Sequence, residues 1–225
     1  MHLIDELTDR LALFADRADA GRQLARLLEP LRGTDALILA VPSGGVPVAA
    51  EVARVLELPL DVAVVSKVTL PWNSEVGCGA VAFDGAVRLD EEYAHRVGLT
   101  GQALTAAVER TRDKVKRRLS LFRADRPAPR LTGRTVVLVD DGVASGSTLM
   151  MAVEAVRRAG ASRVLVAVPT GHVRALEALG RVADDVYCVN ARSGWRFAVA
   201  EAYQTWFDED EARVAALVAP RPTLH

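Results

Sequence analysis

Two kinds of apolar pattern alternate along the chain. Short unbroken runs at Ala36–Val41, Leu60–Ser66, Thr135–Val139, Val164–Val168 and Val186–Asn190 have the length and β-branched content of buried strands. Between them apolar positions recur at helical spacing. Leu3, Leu7, Leu11 and Phe14, then Leu24, Leu27, Leu28 and Leu31, predict one or two N-terminal helices ended near Pro30 and Gly33. Further helices are predicted over Val48–Leu56, Gly101–Phe122, Thr148–Ala159 and Val173–Leu179. Cys78–Phe83 and Ala86–Leu89 flank Asp84-Gly85, a hairpin signal, and a Pro-rich linker covers Asp125–Arg130.

Repeated strand–loop–helix units predict an α/β fold, a Rossmann-like parallel sheet with helices on both faces. Such sheets bind ligands at the carboxyl ends of their strands. Two glycine loops, Pro42-Ser43-Gly44-Gly45-Val46-Pro47 and Asp140–Ser147, fall at such ends. The expected organisation is an N-terminal helical segment over 1–33, a core over 34–190 and an aromatic-rich segment over 191–225.

Composition narrows the function. The chain has 225 residues, 50% hydrophobic and 25% charged, with a formal net charge of −1. No global field favours nucleic acid or an acidic membrane surface, so anion binding must be local. The apolar runs are strand-length, too short to span a bilayer, and Met1–Arg10 carries acids unlike a secretory signal. A cytoplasmic protein without nucleic-acid or membrane partners is expected. Cys78 and Cys188 have neither metal nor disulfide spacing, and His2, His95, His172 and His225 form no nucleophile or metal set.

The segment Val136–Thr148 holds the most chemistry. Four apolar residues bury a central strand, whose end delivers Asp140 and Asp141 to the ligand edge. Adjacent strand residues point to opposite faces, so the two acids must do different jobs. Ala144, Ser145, Gly146, Ser147 and Thr148 then offer unobstructed N–H groups and hydroxyls at a helix start, which suits a phosphate. Acids beside an anion site fit a sugar phosphate chelated to Mg²⁺. The bland alternative is a tight turn with Asp140 or Ser147 as an ordinary helix cap. The Walker A lysine is missing and no G-x-G-x-x-G occurs there.

Four hydrophobics, two acids and a Gly/Ser/Thr loop make Val136–Thr148 resemble the 5-phosphoribosyl-1-pyrophosphate (PRPP) motif of type I phosphoribosyltransferases. The resemblance implies that family's fold with a small hood. It also implies that Asp140 and Asp141 handle the ribose hydroxyls and Mg²⁺, directly or through water, and that Ala144–Thr148 hold the 5-phosphate. Some 6-oxopurine members carry an aspartate where this chain has Ala144, so its absence argues against a hypoxanthine or guanine acceptor. The loop after the first sheet strand holds pyrophosphate in that family; Ser43, Gly44 and Gly45 match it, with Ser43 where many relatives have arginine. Lys67, one of three lysines against 25 arginines, is expected at the end of the next strand to neutralise that pyrophosphate. Lys67–Phe83, with Pro71-Trp72-Asn73-Ser74-Glu75 and Gly77-Cys78-Gly79-Ala80-Val81, resembles a subgroup of uncharacterised bacterial phosphoribosyltransferases.

Three further features complete the expectation. In the Gly101–Phe122 helix, Arg110, Arg112, Lys114, Lys116 and Arg117 surround the apolar face; such a charge run is usually a solvated face, and the alternatives are closure over pyrophosphate or contact with nucleic acid, the latter without the interleaved aromatics of a single-strand binder. Trp195, Phe197, Tyr203, Trp206 and Phe207 place five of eleven aromatics within thirteen residues, a candidate hood built with the N-terminal helices in which Trp195 and Phe197 stack on a base; the alternative is an aromatic cluster filling a core or a subunit interface. The expected reaction is transfer of 5-phosphoribosyl from PRPP to a nitrogen of a small acceptor by a homodimer, with pyrophosphate released and no evident general base. The alternative is a regulatory protein that senses PRPP or a nucleotide without turnover, which Ser43 favours.

Overall fold

The computed structural model describes residues 1–124 and 126–219. The side chains of Ser74 and Glu75 and all of His225 lie outside the described residues. The strands are β1 (His2–Leu3), β2 (Leu37–Ala40), β3 (Leu60–Val62), β4 (Val65–Leu70), β5 (Asn73–Ala82), β6 (Val87–Leu89), β7 (Thr135–Val139), β8 (Arg163–His172) and β9 (Asp185–Arg192). The helices are α1 (Arg17–Leu27), α2 (Gly45–Leu56), α3 (Glu91–Arg96), α4 (Gly101–Arg123), α5 (Ser147–Arg158), α6 (Val173–Leu179) and α7 (Glu211–Val218).

Six strands form one sheet in the order β1-β9-β8-β7-β2-β3, every pairing parallel. The central strands alternate sides yet are apolar on both. Ile38, Ala40, Val137, Val139, Leu165 and Ala167 join a core with Leu24 of α1, Val46 and Val52 of α2 and Val214 of α7. Leu37, Leu39, Val136, Leu138, Val164 and Val166 face the opposite core, with Leu149 and Val153 of α5 and Leu176 and Leu179 of α6. Continuous apolar runs are what a parallel sheet covered on both faces demands, and each buried aliphatic contributes about 1.5–3 kcal/mol relative to exposure. Among the described residues no helix is long and apolar enough to cross a membrane.

Two expectations change. The helical spacing of Leu3–Phe14 makes no α-helix, only a single 3-10 turn at Asp5–Leu7. Asp9, Ala12 and Phe14 instead donate their N–H groups to Ala191, Glu201 and Ala202, which ties this segment to the sheet's far end and leaves Leu11 exposed. The apolar run Leu60–Ser66 is two strands rather than one. The chain leaves the parallel sheet after Val62 and enters a separate antiparallel sheet, β4-β5-β6, at Val65. The N-terminal segment is also woven into the body: β1 pairs with β9, and α1 packs on α2, β8 and β9.

Candidate active site

Asp140 follows β7 directly, and Asp141 follows it. The backbone N–H of Asp141 donates to Asp140 Oδ1 at 2.9 Å, fixing the pair relative to each other. Their surroundings differ. Asp141 receives Arg17 Nε at 2.9 Å, whereas Asp140 has no ion pair among the described residues. Burial, then the neighbouring Asp141 charge, pushes the Asp140 carboxyl well above the usual carboxylate range. Burial also raises Asp141, with Arg17 working against it.

Both glycine loops meet at these acids. A side chain on Gly44 would collide with the Asp141 carboxylate, and one on Gly45 would lie 2.6 Å from the Val139 carbonyl. Gly44 has an ordinary right-handed backbone, φ −60°, so its glycine is required by close approach rather than by conformation. The Pro42–Ser43 peptide is cis. The N–H groups of Ser43 and Gly44 have no acceptor among the described residues, and both residues are half-buried.

The second loop is clamped at its base and open at its tip. Val143 donates to the Thr170 carbonyl and accepts from His172, so Gly142–Val143 is tied to the end of β8. Gly146 then takes φ +80°, a left-handed conformation that favours glycine, and α5 starts. No side chain caps α5, so the ordinary-cap alternative for Asp140 or Ser147 is not what the chain does. Its first backbone bond runs from Met150 to Gly146, which leaves the N–H groups of Ala144–Thr148 without acceptors among the described residues. Ala144, Ser145 and Ser147 are exposed. By contrast α1, α3, α6 and α7 all carry side-chain caps, from Asp16, Asp90, His172 and Asp210. Uncapped helix starts on exposed loops bind anions readily.

The sequence reading missed Arg17. Its guanidinium, 6% exposed, also donates to the Phe207 carbonyl at 2.7 Å and stacks 3.8 Å from the Trp206 ring. Tyr203 donates its hydroxyl to the Asp141 carbonyl and packs against Phe14 and Trp206. Tyr203 and Trp206 thus brace the acid loop through backbone and cation contacts. The signal available beforehand was only an arginine beside the helix-capping Asp16. Arg118 was also missed: 8% exposed, it donates from Nη2 to Ser43 Oγ at 2.8 Å.

Other expected residues scatter. Lys67 does not end a strand of the parallel sheet: it is the third residue of β4, exposed and paired with Ala80, because the chain has already changed sheets. It lines a cleft of about 690 Å³ shared with Ser147 and Thr148, on the side of the second loop. Trp195 is almost fully exposed beside His172, Arg174 and Ser193, and Phe197 lies 6.1 Å from the His172 ring. Val199, two residues beyond Phe197, presses on Gly142, so this segment borders the acid loop. Among the described residues no cluster of three His, Cys, Asp or Glu could hold a metal by itself.

Residues 4–202 match the family model described as a phosphoribosyl transferase domain. The chain belongs to the phosphoribosyl transferase family. Two Mycobacterium tuberculosis proteins, each named "Putative phosphoribosyl transferase", are 38% identical over 208 residues, covering 92% of this chain and 47% of theirs. The chain therefore spans about half the length of these curated relatives. The crystal structure of TT1426 from Thermus thermophilus is 36% identical and superposes with a TM-score of 0.74 over 91% of this chain and 97% of that one.

Proposed function

We propose that this protein transfers 5-phosphoribosyl from PRPP to a ring or amine nitrogen of a small heterocycle, releasing pyrophosphate. One observation carries the reading: two uncapped helix starts, at Ser43–Gly45 and Ala144–Thr148, converge on one pair of carboxylates. PRPP presents a 5-phosphate and a 1-pyrophosphate on either side of a diol, and this arrangement offers two anion sites on either side of two acids. The 5-phosphate sits on Ala144–Thr148, where hydroxyls and free N–H groups meet it. Ser43–Gly45 holds the pyrophosphate. Asp140 and Asp141 orient the ribose hydroxyls.

In the reaction the C1–O bond to pyrophosphate breaks and a C1–N bond forms, through an oxocarbenium-like transition state. The attacking nitrogen loses its proton to solvent, and the pyrophosphate leaves with the bonding electrons. The chain contributes by holding the reactants in line and by exclusion of water. Hard carboxylate oxygens suit Mg²⁺ completed by substrate oxygens; Asp140, free of any ion pair among the described residues, would hold it with Asp141. Bound there, Mg²⁺ supplies charge neutralisation of the pyrophosphate. Lys67 adds a cation at the cleft shared with Ser147 and Thr148. Trp195 and Phe197, in the segment bordering Gly142, stack on the acceptor.

A second reading, a sensor that binds PRPP or a nucleotide without turnover, is favoured by Arg17, which already occupies Asp141. Incubation with PRPP, Mg²⁺ and a panel of heterocycles, followed by pyrophosphate assay and calorimetric titration of PRPP, separates the two. Pyrophosphate release with any acceptor supports the transferase. PRPP binding without release from any acceptor supports the sensor; absence of PRPP binding overturns the transferase, and absence of binding by nucleotides as well overturns the sensor.

A further inference from the structure

The Ser43–Gly45 loop contains no cation, yet the fold brings one to it from 75 residues further along the chain. Arg118 lies on the inward stripe of α4, in line with the buried Thr111, Val115 and Phe122. Its Nη2 donates to Ser43 Oγ at 2.8 Å. Its Nε lies 3.2 Å from Glu211 Oε1 but is not aligned as a hydrogen bond, so this buried donor has no hydrogen-bond acceptor among the described residues. Glu211 is itself forked by Arg117, at 2.7 and 3.2 Å. One carboxylate therefore faces two guanidinium groups, and a positive charge is left over beside the loop.

That surplus needs a reason. A buried, incompletely satisfied guanidinium is costly, and a long side chain on a surface helix would ordinarily carry its head group to water. Arg118 instead points its head group at the one hydroxyl of a loop whose Ser43 and Gly44 N–H groups are free. We infer that Arg118 is the cation of the Ser43–Gly45 site and binds the pyrophosphate group of PRPP and the pyrophosphate product. This rests on the transferase reading above for the identity of the ligand. It also separates Arg118 from the exposed charges of the same helix, such as Lys114 and Lys116, which form its solvated face.

The test is titration of Mg-pyrophosphate and of ribose 5-phosphate into the full chain. Arg118→Gln weakens pyrophosphate roughly ten- to hundredfold, the worth of one charge-assisted contact, and leaves ribose 5-phosphate within about twofold by the same measure. Ser43→Ala removes the hydroxyl but keeps the cation, and changes pyrophosphate affinity by no more than about threefold, a neutral contact being worth less. Equal pyrophosphate binding by Arg118→Gln and wild type overturns the inference. So does a Ser43→Ala effect as large as that of Arg118→Gln, which would make Arg118 a strut for Ser43. Should Arg118→Gln fail to fold, Glu211→Gln decides: freeing Arg118 from its counter-charge tightens pyrophosphate, and unchanged or weaker binding overturns the inference. Wild type that binds neither compound sinks the transferase reading itself, a result distinct from all of these.

Discussion

Asp140 and Asp141 are neighbours with opposite circumstances, and the difference is testable. Arg17 compensates Asp141, while Asp140, half-buried and without an ion pair among the described residues, sits beside a like charge with its proton affinity raised. Ionising such an acid costs more in the folded than in the unfolded chain. It therefore lowers stability at neutral pH, and that loss is recovered as pH falls through its raised folded value. Asp140→Asn should raise the melting temperature at pH 7–8 by a few degrees and abolish PRPP binding, and its advantage should shrink toward pH 5. Calorimetry at the two pH values checks this, and a lowered melting temperature at pH 7–8 would overturn it. Lys67 yields a different expectation. Because it shares its cleft with Ser147 and Thr148, Lys67→Ala should weaken ribose 5-phosphate and PRPP alike, by roughly tenfold. Selective loss of PRPP in a side-by-side titration would move Lys67 to the pyrophosphate instead. The two acids and both glycine loops were legible because their residue types and spacing carry local chemistry. Arg17 and Arg118 were not, since each acquires meaning only from a contact more than 70 residues away.

At the scale of elements, the start of α1 and the segment 203–209 act as one brace on the acid loop. Arg17 ties Asp141, the Phe207 carbonyl and Glu209 together against Trp206. Arg17→Gln would leave the Asp141 and Glu209 carboxylates buried without that cation, a loss of about 3–5 kcal/mol. In a domain of this size the melting temperature should fall by on the order of ten degrees, with partial recovery on adding Asp141→Asn. A fall of only a degree or two by scanning calorimetry would show the brace to be incidental. The same elements mark where pattern reading worked and where it failed. Thr135–Val139 and Val173–Leu179 fall where their apolar patterns put them, because each pattern had one stable reading. Leu3–Phe14 has helical spacing, but tertiary partners at Ala191, Glu201 and Ala202 take its N–H groups. Leu60–Ser66 is apolar apart from Asp61 and Ser66, and its uninterrupted Val62–Val65 stretch gives no mark of the change of sheet inside it. The short helix α7 was missed although Asp210, the residue that caps it, was a readable start signal.

Over the whole molecule the charges nearly cancel, at −1, so the affinity for a multiply charged phosphate must come from local geometry rather than a global field. Two consequences follow for ligand-linked stability. A compound that binds only the folded chain adds about 2.7 kcal/mol at a hundredfold excess over its dissociation constant. For a domain of this size that corresponds to a rise of roughly 5–11 °C in melting temperature. PRPP with Mg²⁺ should produce such a rise, because it can occupy the helix starts at Ser43–Gly45 and Ala144–Thr148 and the acids between them. Ribose 5-phosphate should produce a smaller one, because it fills only Ala144–Thr148 and the acids. Raising salt should erode the PRPP shift more than the ribose 5-phosphate shift, since PRPP carries more charge and meets Arg118 at Ser43 as well as Lys67, whereas ribose 5-phosphate meets Lys67 alone. Differential scanning fluorimetry at two ionic strengths measures all of this in one experiment. Equal shifts from the two compounds would mean that only one anion site is in use, and no shift from either at millimolar concentration would count against PRPP as the ligand.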